Sequence, residues 1–213
     1  MKEALLTPKI NFYANDITDE IFNIYAQSSY LAVDTEAMGL IHGRDRLCLI
    51  QICNEQKLTS CIKIEKDNNN SARIQSLFES QDITKVFHFA RFDIAALKCN
   101  LNITTQNIFC TKIASKLART YTNKHGLKDL IYELLGVELD KSSQSSDWGS
   151  EDQLTEKQIN YAANDVIYLI DAMKKLKIIL QRENRYEIAK KCFEAISIHS
   201  ELDINHFSNI FDH

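Results

Sequence analysis

The stretch SYLAVDTEAMGLIHGRDRLCLIQICN (residues 29–54) determines the predicted fold. Its first part, SYLAVDTEA (29–37), combines β-branched and apolar residues as β-strands do, and RLCLIQICN (46–54) is a second such run. The intervening GLIHGRDR (39–46) has the composition of a turn. KLTSCIKI (57–64) is a third candidate strand. We therefore expect a meander of three antiparallel strands.

The next part of the chain alternates between helix and strand patterns. ARIQSLFES (72–80) has helical spacing, KVFHFA (85–90) is typical of a short buried strand, DIAALKCNL (93–101) is again helical and NIFC (107–110) is a brief strand. A strand that joins the meander through a helical crossover lies parallel to its neighbour. The predicted class is therefore α/β, with a mixed central sheet, an antiparallel meander plus parallel strands, flanked by helices.

The second half is predicted to be helical. Apolar residues at three- and four-residue spacing mark residues 111–121, 126–136, 155–183 and 186–197. The polar loop 141–153 carries the only tryptophan. Because no repeat or linker divides the chain, we expect a single domain over residues 1–213, with a core of about residues 28–182 and a C-terminal helix and tail.

The charge balance restricts the partners of the protein. The 213 residues contain 25 Lys and Arg against 29 Asp and Glu, a formal net charge of −4. Proteins that hold long nucleic acids carry a basic stripe, because affinity comes from neutralising many phosphates. Either the substrate is not nucleic acid, or few phosphates are bound and metal ions supply part of the positive charge. We favour the second interpretation.

The six cysteines show neither a CxxC pair nor histidines at zinc spacing. Most lie in apolar stretches, where a free thiol behaves as a small hydrophobic side chain. Residues 1–11 lack the apolar core of a signal peptide, and no apolar run approaches the roughly 20 residues that span a bilayer. We therefore expect a cytoplasmic protein without a membrane partner.

Asp34 and Glu36 are the first candidate site residues. Alternate residues of a strand share a face, so both carboxylates project to one side while Leu31 and Val33 face the core. Acids at the end of an apolar strand are costly unless something positive neutralises them, and a hard divalent cation does so. A solvated strand end is the alternative.

Asp93, Tyr161 and Asp165 complete the set. Asp93 follows strand KVFHF at the start of a helix, where an ordinary N-cap or first-turn aspartate is the alternative. Asp165 lies inside a predicted helix, where Asp is unfavourable, one turn from Tyr161. A tyrosine–aspartate hydrogen bond at the margin of the core is the alternative for that pair. Together, four carboxylates and a tyrosine suit phosphodiester cleavage with two cations.

Three stretches resemble the exonuclease motifs of the ribonuclease D-like DEDD superfamily. They are VDTEAMGL (33–40), FHFARFD (87–93) and YAANDV (161–166). The spacing of Tyr161 and Asp165 is that of the branch with tyrosine in the third motif. Residues 125–148 also resemble the middle of ribonuclease D proteins, and the likeness runs from about residue 30 to residue 176. The resemblance implies a ribonuclease H-like exonuclease fold and 3′→5′ exonuclease activity.

A narrower resemblance is to the nano-RNase C family. It rests on HGRDRLCLIQ (42–51), FCTKIASKLARTYT (109–122), QSSDWG (144–149) and RENRYEIAKKCF (182–193). This family degrades very short RNA, especially dinucleotides, as a ring-shaped homo-octamer. The chain has no segment like the HRDC domains of ribonuclease D, and Gly149, Ser150 and Glu151 replace the Arg-Pro-Leu that usually follows Asp-Trp there. Both departures favour short substrates.

The resemblance also implies roles for individual residues. Asp34, Glu36, Asp93 and Asp165 would bind two divalent cations, Mg²⁺ or Mn²⁺. Tyr161 would orient the attacking water, since the ordinary pKa of tyrosine, about 10, makes it a poor lone base. The metal lowers the pKa of the water instead.

Leu40 resembles the apolar wedge that contacts bases in oligonucleotide-cleaving relatives, with a turn-flanking core residue as the alternative. His88 and Phe89 are candidates to contact sugar or base. For Phe89 we prefer the alternative, a buried strand aromatic. The candidates for a terminal phosphate are Lys112, Arg119, His125 and Lys128. Gln144, Ser146 and Trp148 lie in one polar loop. We expect this loop either to close over the site or to pack between subunits.

Three hypotheses follow. The first is a 3′→5′ exoribonuclease that hydrolyses short single-stranded RNA, dinucleotides above all, to nucleoside 5′-monophosphates. The second is a broader 3′→5′ exonuclease of RNA and DNA, because a metal site does not itself distinguish the sugars. The third is a catalytically silent RNA-binding module, whose signature would be the loss of a carboxylate. The resemblance further implies a homo-oligomer, as an octameric ring.

Overall fold

The computed structural model describes residues 9–68, 70–139, 147–150, 154–207 and 210. Within these residues one sheet has the strand order β1-β4-β3-β2-β5-β6. Its strands are β1 (Lys9–Ala14), β2 (Tyr30–Ala37), β3 (Leu47–Asn54), β4 (Leu58–Lys63), β5 (Thr84–Phe87) and β6 (Ile108–Cys110).

The strand pairing confirms the predicted α/β class with a mixed sheet. β2, β3 and β4 form the antiparallel meander, and β5 and β6 add parallel strands beside β2. β1 pairs in parallel with β4 at the other edge. No element was predicted for its segment, KINFYA, in which only half-buried and exposed positions occur. Such an edge strand gives a weak sequence signal, because neither face is fully buried.

Nine helices lie in the described part of the chain. They are α1 (Asp19–Ala26), α2 (Ala72–Glu79), α3 (Ala90–Leu101), α4 (Thr111–Ala118), α5 (Leu127–Leu135), α6 (Glu156–Ile167), α7 (Leu169–Arg182), α8 (Tyr186–Glu194) and α9 (Ile196–Ile204). The prediction of a helical second half is thus confirmed. None of the helices described is long and apolar enough to cross a bilayer.

The prediction of one continuous helix over residues 155–183 is wrong, because the chain breaks at Tyr168 between α6 and α7. Lys57, in the turn between β3 and β4, donates from Nζ to the carbonyl of Ile167 at 2.6 Å and to Asp171 at 2.5 Å. This lysine satisfies a backbone acceptor that would otherwise be left at the end of α6. The apolar period continues through the break, so sequence spacing alone did not indicate it.

The core is apolar, with a few buried polar contacts that link its layers. Tyr25 of α1 is fully buried. Its hydroxyl lies 2.8 Å from Ser60 Oγ and within 3.3 Å of the carbonyls of Ile52 and Leu58. One side chain thus joins α1 to both β3 and β4. All six cysteines are free thiols, and four of them are buried, as expected for small hydrophobic residues.

We predict that Tyr25→Phe lowers the free energy of unfolding by about 1–2 kcal/mol, because Ser60 and the carbonyls lose a buried partner. For a domain of this size the melting temperature should fall by roughly 2–4 °C per kcal/mol. Tyr132→Phe is the control, since that side chain is 57% exposed. Equal melting temperatures for the two variants would contradict the anchoring role of Tyr25.

Candidate active site

Asp34 and Glu36 lie in the half of β2 that extends beyond its pairing with β5. β5 pairs only with Tyr30–Ala32, so the part of β2 that carries the two acids has β3 as its partner. The register shifts after Glu36. The carboxylates of Asp34, Glu36 and Asp165 have oxygens that all lie within 4.8 Å of one another. Asp34 and Glu36, on one face of β2, therefore meet Asp165 of a helix at one end of the sheet.

Asp93 approaches the same end of β2 from α3. β5 ends at Phe87, and the chain enters α3 through Phe89, whose φ of 76° is left-handed. Asp93 then occupies the first turn of α3, where it is almost fully buried and accepts a hydrogen bond from Thr35 Oγ1 at 2.7 Å. Its carboxylate lies near that of Asp34 but outside the group of three. The N-cap of α3 is Phe89, so Asp93 is not the N-cap, but it does occupy the first turn, as the structural alternative for this residue allowed.

Helix α6 supplies the third carboxylate of the group. It begins with a capping box, in which Gln158 N donates to Thr155 Oγ1 and Thr155 N donates to Gln158 Oε1 at 2.9 Å. Asp165 lies in the last turn of α6 and not in its middle. A negative charge there opposes the helix dipole, so a nearby cation would be strongly favourable.

The phenol of Tyr161 hydrogen-bonds to the carboxylate of Asp165, one turn away. The tyrosine–aspartate hydrogen bond, which was the structural alternative for this pair of residues, is therefore present. Asp165 nevertheless also belongs to the carboxylate group, so the contact places the phenol at the edge of that group.

Burial shifts the pKa values of Asp34, Glu36, Asp93 and Tyr161, and neighbouring carboxylates add to the shift at three of them. Burial, and then the charges of its acidic neighbours, raise the pKa of Asp34 well above its usual range. The same causes raise the pKa of Glu36 to about 8, and burial raises that of Asp93 to about 7. The pKa of Tyr161 is raised by burial and then by the charge of Asp165. These raised pKa values indicate that ionisation of the buried acids costs free energy, which a bound cation would offset.

Leu40 and Phe89 line one cleft of about 350 Å³ beside the start of α3. Leu40 is 81% exposed and Phe89 is 47% exposed. Leu40 is therefore not a core residue, and the preference for a buried strand aromatic at Phe89 is wrong because β5 ends two residues earlier. His88 is half-buried, with Nδ1 2.9 Å from Thr111 Oγ1. The cleft thus offers an exposed apolar side chain and an exposed ring.

The structure separates the basic residues considered for a terminal phosphate, which are Lys112, Arg119, His125 and Lys128. Lys112 Nζ lies 4.3 Å from the centre of the Phe89 ring, close to the cleft. Arg119 is fully buried and donates to Glu133 and to Ser115 Oγ. Arg119 is therefore occupied within the core and is excluded as a phosphate ligand. His125 contacts Ser115 Oγ through Nδ1, and Lys128 is exposed on α5.

Thr35 and Gln51 had no assigned role in the sequence analysis, whereas Trp148 lies on a residue of the site, which fits the first of the two alternatives given for its loop. Thr35 Oγ1 donates a hydrogen bond to Asp93. The sequence feature that could have indicated this role is a polar residue on the core-facing side of β2. Gln51 pairs with Asp34 across the strands and is fully buried, with no hydrogen-bond partner for its amide among the residues described. Trp148 is 5% exposed, and its ring stacks on that of Tyr161 with 6.3 Å between centroids. Gln144 and Ser146 lie outside the described residues.

Comparison with known proteins identifies the family. A family model described as a 3′-5′ exonuclease matches residues 10–181. The chain is 31% identical to ribonuclease D of Sphingobium indicum over 81% of its own length and 44% of that protein. It thus spans less than half the length of this curated relative.

Solved structures of similar proteins align with almost the whole chain. Brucella melitensis NrnC bound to pGG has 42% identity and a TM-score of 0.91, with coverage of 97% of this chain and 100% of that one. Brucella melitensis NrnC with bound Mg²⁺ has 41% identity and a TM-score of 0.89, with coverage of 96% and 98%. These similarities confirm the predicted ribonuclease H-like exonuclease fold. The chain therefore belongs to the 3′-5′ exonuclease family, in the group that includes ribonuclease D and NrnC.

Proposed function

We propose that the protein is a metal-dependent 3′→5′ exoribonuclease that hydrolyses short single-stranded RNA, with dinucleotides preferred, to nucleoside 5′-monophosphates. The observation that carries this proposal is the group of three carboxylates from β2 and α6, all within 4.8 Å, with Asp93 beside it. The similarity to NrnC bound to pGG over nearly the whole chain supports a short substrate.

The donor set fits divalent cations. Carboxylate oxygens are the ligands that Mg²⁺ prefers, and acids with raised pKa values are stabilised when a cation takes the place of their protons. Asp34, Glu36 and Asp165 would hold one such cation, and Asp93 extends the set for a second. When bound, two Mg²⁺ or Mn²⁺ ions would activate a water and stabilise the attacking and leaving oxygens. The NrnC structure with bound Mg²⁺ supports this assignment.

Tyr161 would position the nucleophile. Its raised pKa keeps the phenol protonated at neutral pH, so it does not act as a base: its O–H donates to Asp165, and its oxygen can accept a hydrogen bond from the water. Its hydrogen bond to Asp165 restricts the direction of the hydroxyl. A water held between this phenol and the carboxylates would meet the phosphorus from a fixed direction, which lowers the entropic part of the barrier.

The cleft beside α3 would receive the bases. Leu40 offers an exposed apolar contact and Phe89 an exposed ring, and stacking on aromatic rings is a sequence-independent way to bind single strands. The ammonium of Lys112 beside Phe89 would contribute a positive charge for a phosphate. His88, tied to Thr111, is the remaining candidate for a contact with sugar or base.

A broader exonuclease of RNA and DNA is the second candidate, because the carboxylate group does not contact a 2′-hydroxyl by itself. A silent RNA-binding module is the least favoured, since Asp34, Glu36, Asp93, Asp165 and Tyr161 are all present and adjacent. The homo-octameric ring stays a prediction from the resemblance to nano-RNase C.

Asp34→Asn should abolish cleavage in Mg²⁺ or Mn²⁺ while the circular dichroism spectrum is unchanged. In EDTA the variant should melt at a higher temperature than the wild type, by roughly 2–4 °C per kcal/mol of relieved repulsion. The sign follows because a carboxyl whose pKa is raised on folding destabilises the protein as pH rises through that window. Mg²⁺ should raise the melting temperature of the wild type and much less that of the variant.

Asp129→Asn is the control, because this carboxylate is exposed in the first turn of α5. It should leave cleavage and the effect of Mg²⁺ unchanged. Cleavage retained by Asp34→Asn would refute the metal assignment.

Tyr161→Phe should lower kcat at least about tenfold, because the attacking water loses its orienting hydrogen bond. KM should change by less than about twofold, since an interaction used only in the transition state does not affect substrate binding. Steady-state rates on a dinucleotide measure both. Tyr132→Phe, on the exposed face of α5, is the matched control. Unchanged kcat in Tyr161→Phe would remove the phenol from the proposed mechanism.

Substrate length provides the direct test of the proposed function. 5′-labelled RNAs from dinucleotide to decanucleotide and DNAs of the same sequences are incubated with the protein, and initial rates are compared. We expect a steep preference for the RNA dinucleotide, because the short cleft offers few contacts to a longer strand. A flat dependence on length, or equal rates on DNA, would favour the broader exonuclease. Cleavage of none of these substrates would overturn both candidates.

A further inference from the structure

A short segment, residues 147–150, lies against the end of the β2–β3 turn. The carbonyl of Gly149 accepts a hydrogen bond from Arg46 Nη2 at 3.1 Å, and Gly149 N donates to Asp147 Oδ1 at 3.0 Å. The Gly149 backbone approaches Met38 so closely that a Cβ atom there would lie 2.8 Å from Met38 Cγ. Only glycine fits this approach without a shift of the neighbouring side chain. The segment is therefore docked at a defined place.

The docked segment places Trp148 on the tyrosine of the site. Trp148 is nearly fully buried among core residues. Its ring lies at 30° to that of Tyr161, with 6.3 Å between the centroids. The Tyr161 phenol in turn bonds to Asp165. The ring of Tyr161 is thus held by the indole on one side while its hydroxyl is held by the carboxylate.

Arg46 provides a polar tether between this segment and the sheet. Its Nη1 donates to the carbonyl of Ile64, just after β4, at 3.0 Å, while Nη2 donates to Gly149. Its own carbonyl accepts from Met38 N at 3.0 Å, which closes the turn after β2. A planar guanidinium can bridge two carbonyls in fixed directions, which an ammonium does less well. Arg46 therefore joins the end of the strand that carries Asp34 to the segment that carries Trp148.

We propose that Arg46 is a positioning residue of the exonuclease site, which holds Gly149 so that Trp148 keeps the Tyr161 phenol at the carboxylate group. The inference rests on the proposed function, since the positioned phenol is the one that would orient the attacking water. Arg46 itself contacts backbone carbonyls of the protein. Its effect on the rate is therefore transmitted through the segment and not through the substrate.

The only tryptophan of the chain is Trp148, so intrinsic fluorescence reports the docking without reference to activity. Arg46→Ala should shift the tryptophan emission to longer wavelength and increase its quenching by acrylamide. It should lower kcat on a dinucleotide roughly ten- to a hundredfold, as small displacements of positioned groups do, with KM changed less than about twofold. Arg46→Lys, which keeps the charge but not the fork of donors, should give intermediate values of emission and kcat.

Arg44→Ala is the matched control. It removes the same charge from the same turn, but Arg44 is paired with the adjacent Asp45 and its side chain is 65% exposed. Emission, quenching and kcat should equal those of the wild type. If Arg44→Ala has the same effects as Arg46→Ala, the loss of charge and not the tether is the cause, and the proposal is wrong.

A second variant displaces the segment without a change at Arg46. Gly149→Ala introduces a close contact with the flexible Met38 side chain, which is 59% exposed, so it should shift emission and lower kcat in the same direction as Arg46→Ala but by less. The double change Met38→Ala, Gly149→Ala removes the clash and should restore both values toward the wild type. The single and the double variant still test the proposal if Arg46→Ala is too unstable for its emission and kcat to be compared with those of the wild type.

Two further results from the Arg46 and Gly149 variants would overturn the proposal. One is an emission unchanged in both Arg46→Ala and Gly149→Ala, and the other is a shifted emission with wild-type kcat. A wild-type protein that cleaves none of the RNAs would overturn the proposed function and this role together. Normal cleavage by the wild type with normal cleavage by both variants would overturn only the role of Arg46.

Discussion

The repulsion among four carboxylates, brought together in a partly buried place, is the constraint that the rest of the structure must satisfy. Burial and the neighbouring charges raise the pKa values of Asp34 and Glu36, which means that the ionised group opposes folding. The site therefore contributes no stability of its own without a cation. The elements that carry it must be held by contacts elsewhere, and each is secured in a different way.

β2 is held by its pairing with β3 through the positions that carry the acids. α3 is held by the C-terminal helix α9, where Arg91 Nη2 lies 2.5 Å from Asp203 Oδ1 and Ser200 Oγ donates to the Arg91 carbonyl at 3.0 Å. α6 is held at its start by its capping box and at its end by Lys57. These contacts lie outside the carboxylate group, so the geometry of the site does not depend on favourable contacts among its members. A metal ion would meet a set that is already arranged.

Sequence patterns predicted the parts of this arrangement that depend on local order. The meander, the crossover and the helical second half follow from periodicity, and the candidate acids were found because polar residues interrupt apolar elements. Contacts between distant segments were not predictable. Lys57 binds the carbonyl at the end of α6, next to the break at Tyr168, and the buried Arg119 donates to Glu133. The exposure of Phe89 follows from a left-handed turn that its own side chain does not favour.

The acidic balance of the chain fits a site that relies on metal ions and apolar contacts. With a formal net charge of −4, the protein has no excess of positively charged side chains with which to neutralise a long phosphate chain. Two divalent cations at the carboxylates would bring the formal charge to about zero. Among the residues described, the further contacts proposed for a substrate are those of Leu40, Phe89, Lys112 and His88. Because these contacts serve bases and one phosphate, binding would gain little from each further nucleotide. This limited gain is the physical basis for expecting that short RNA is preferred.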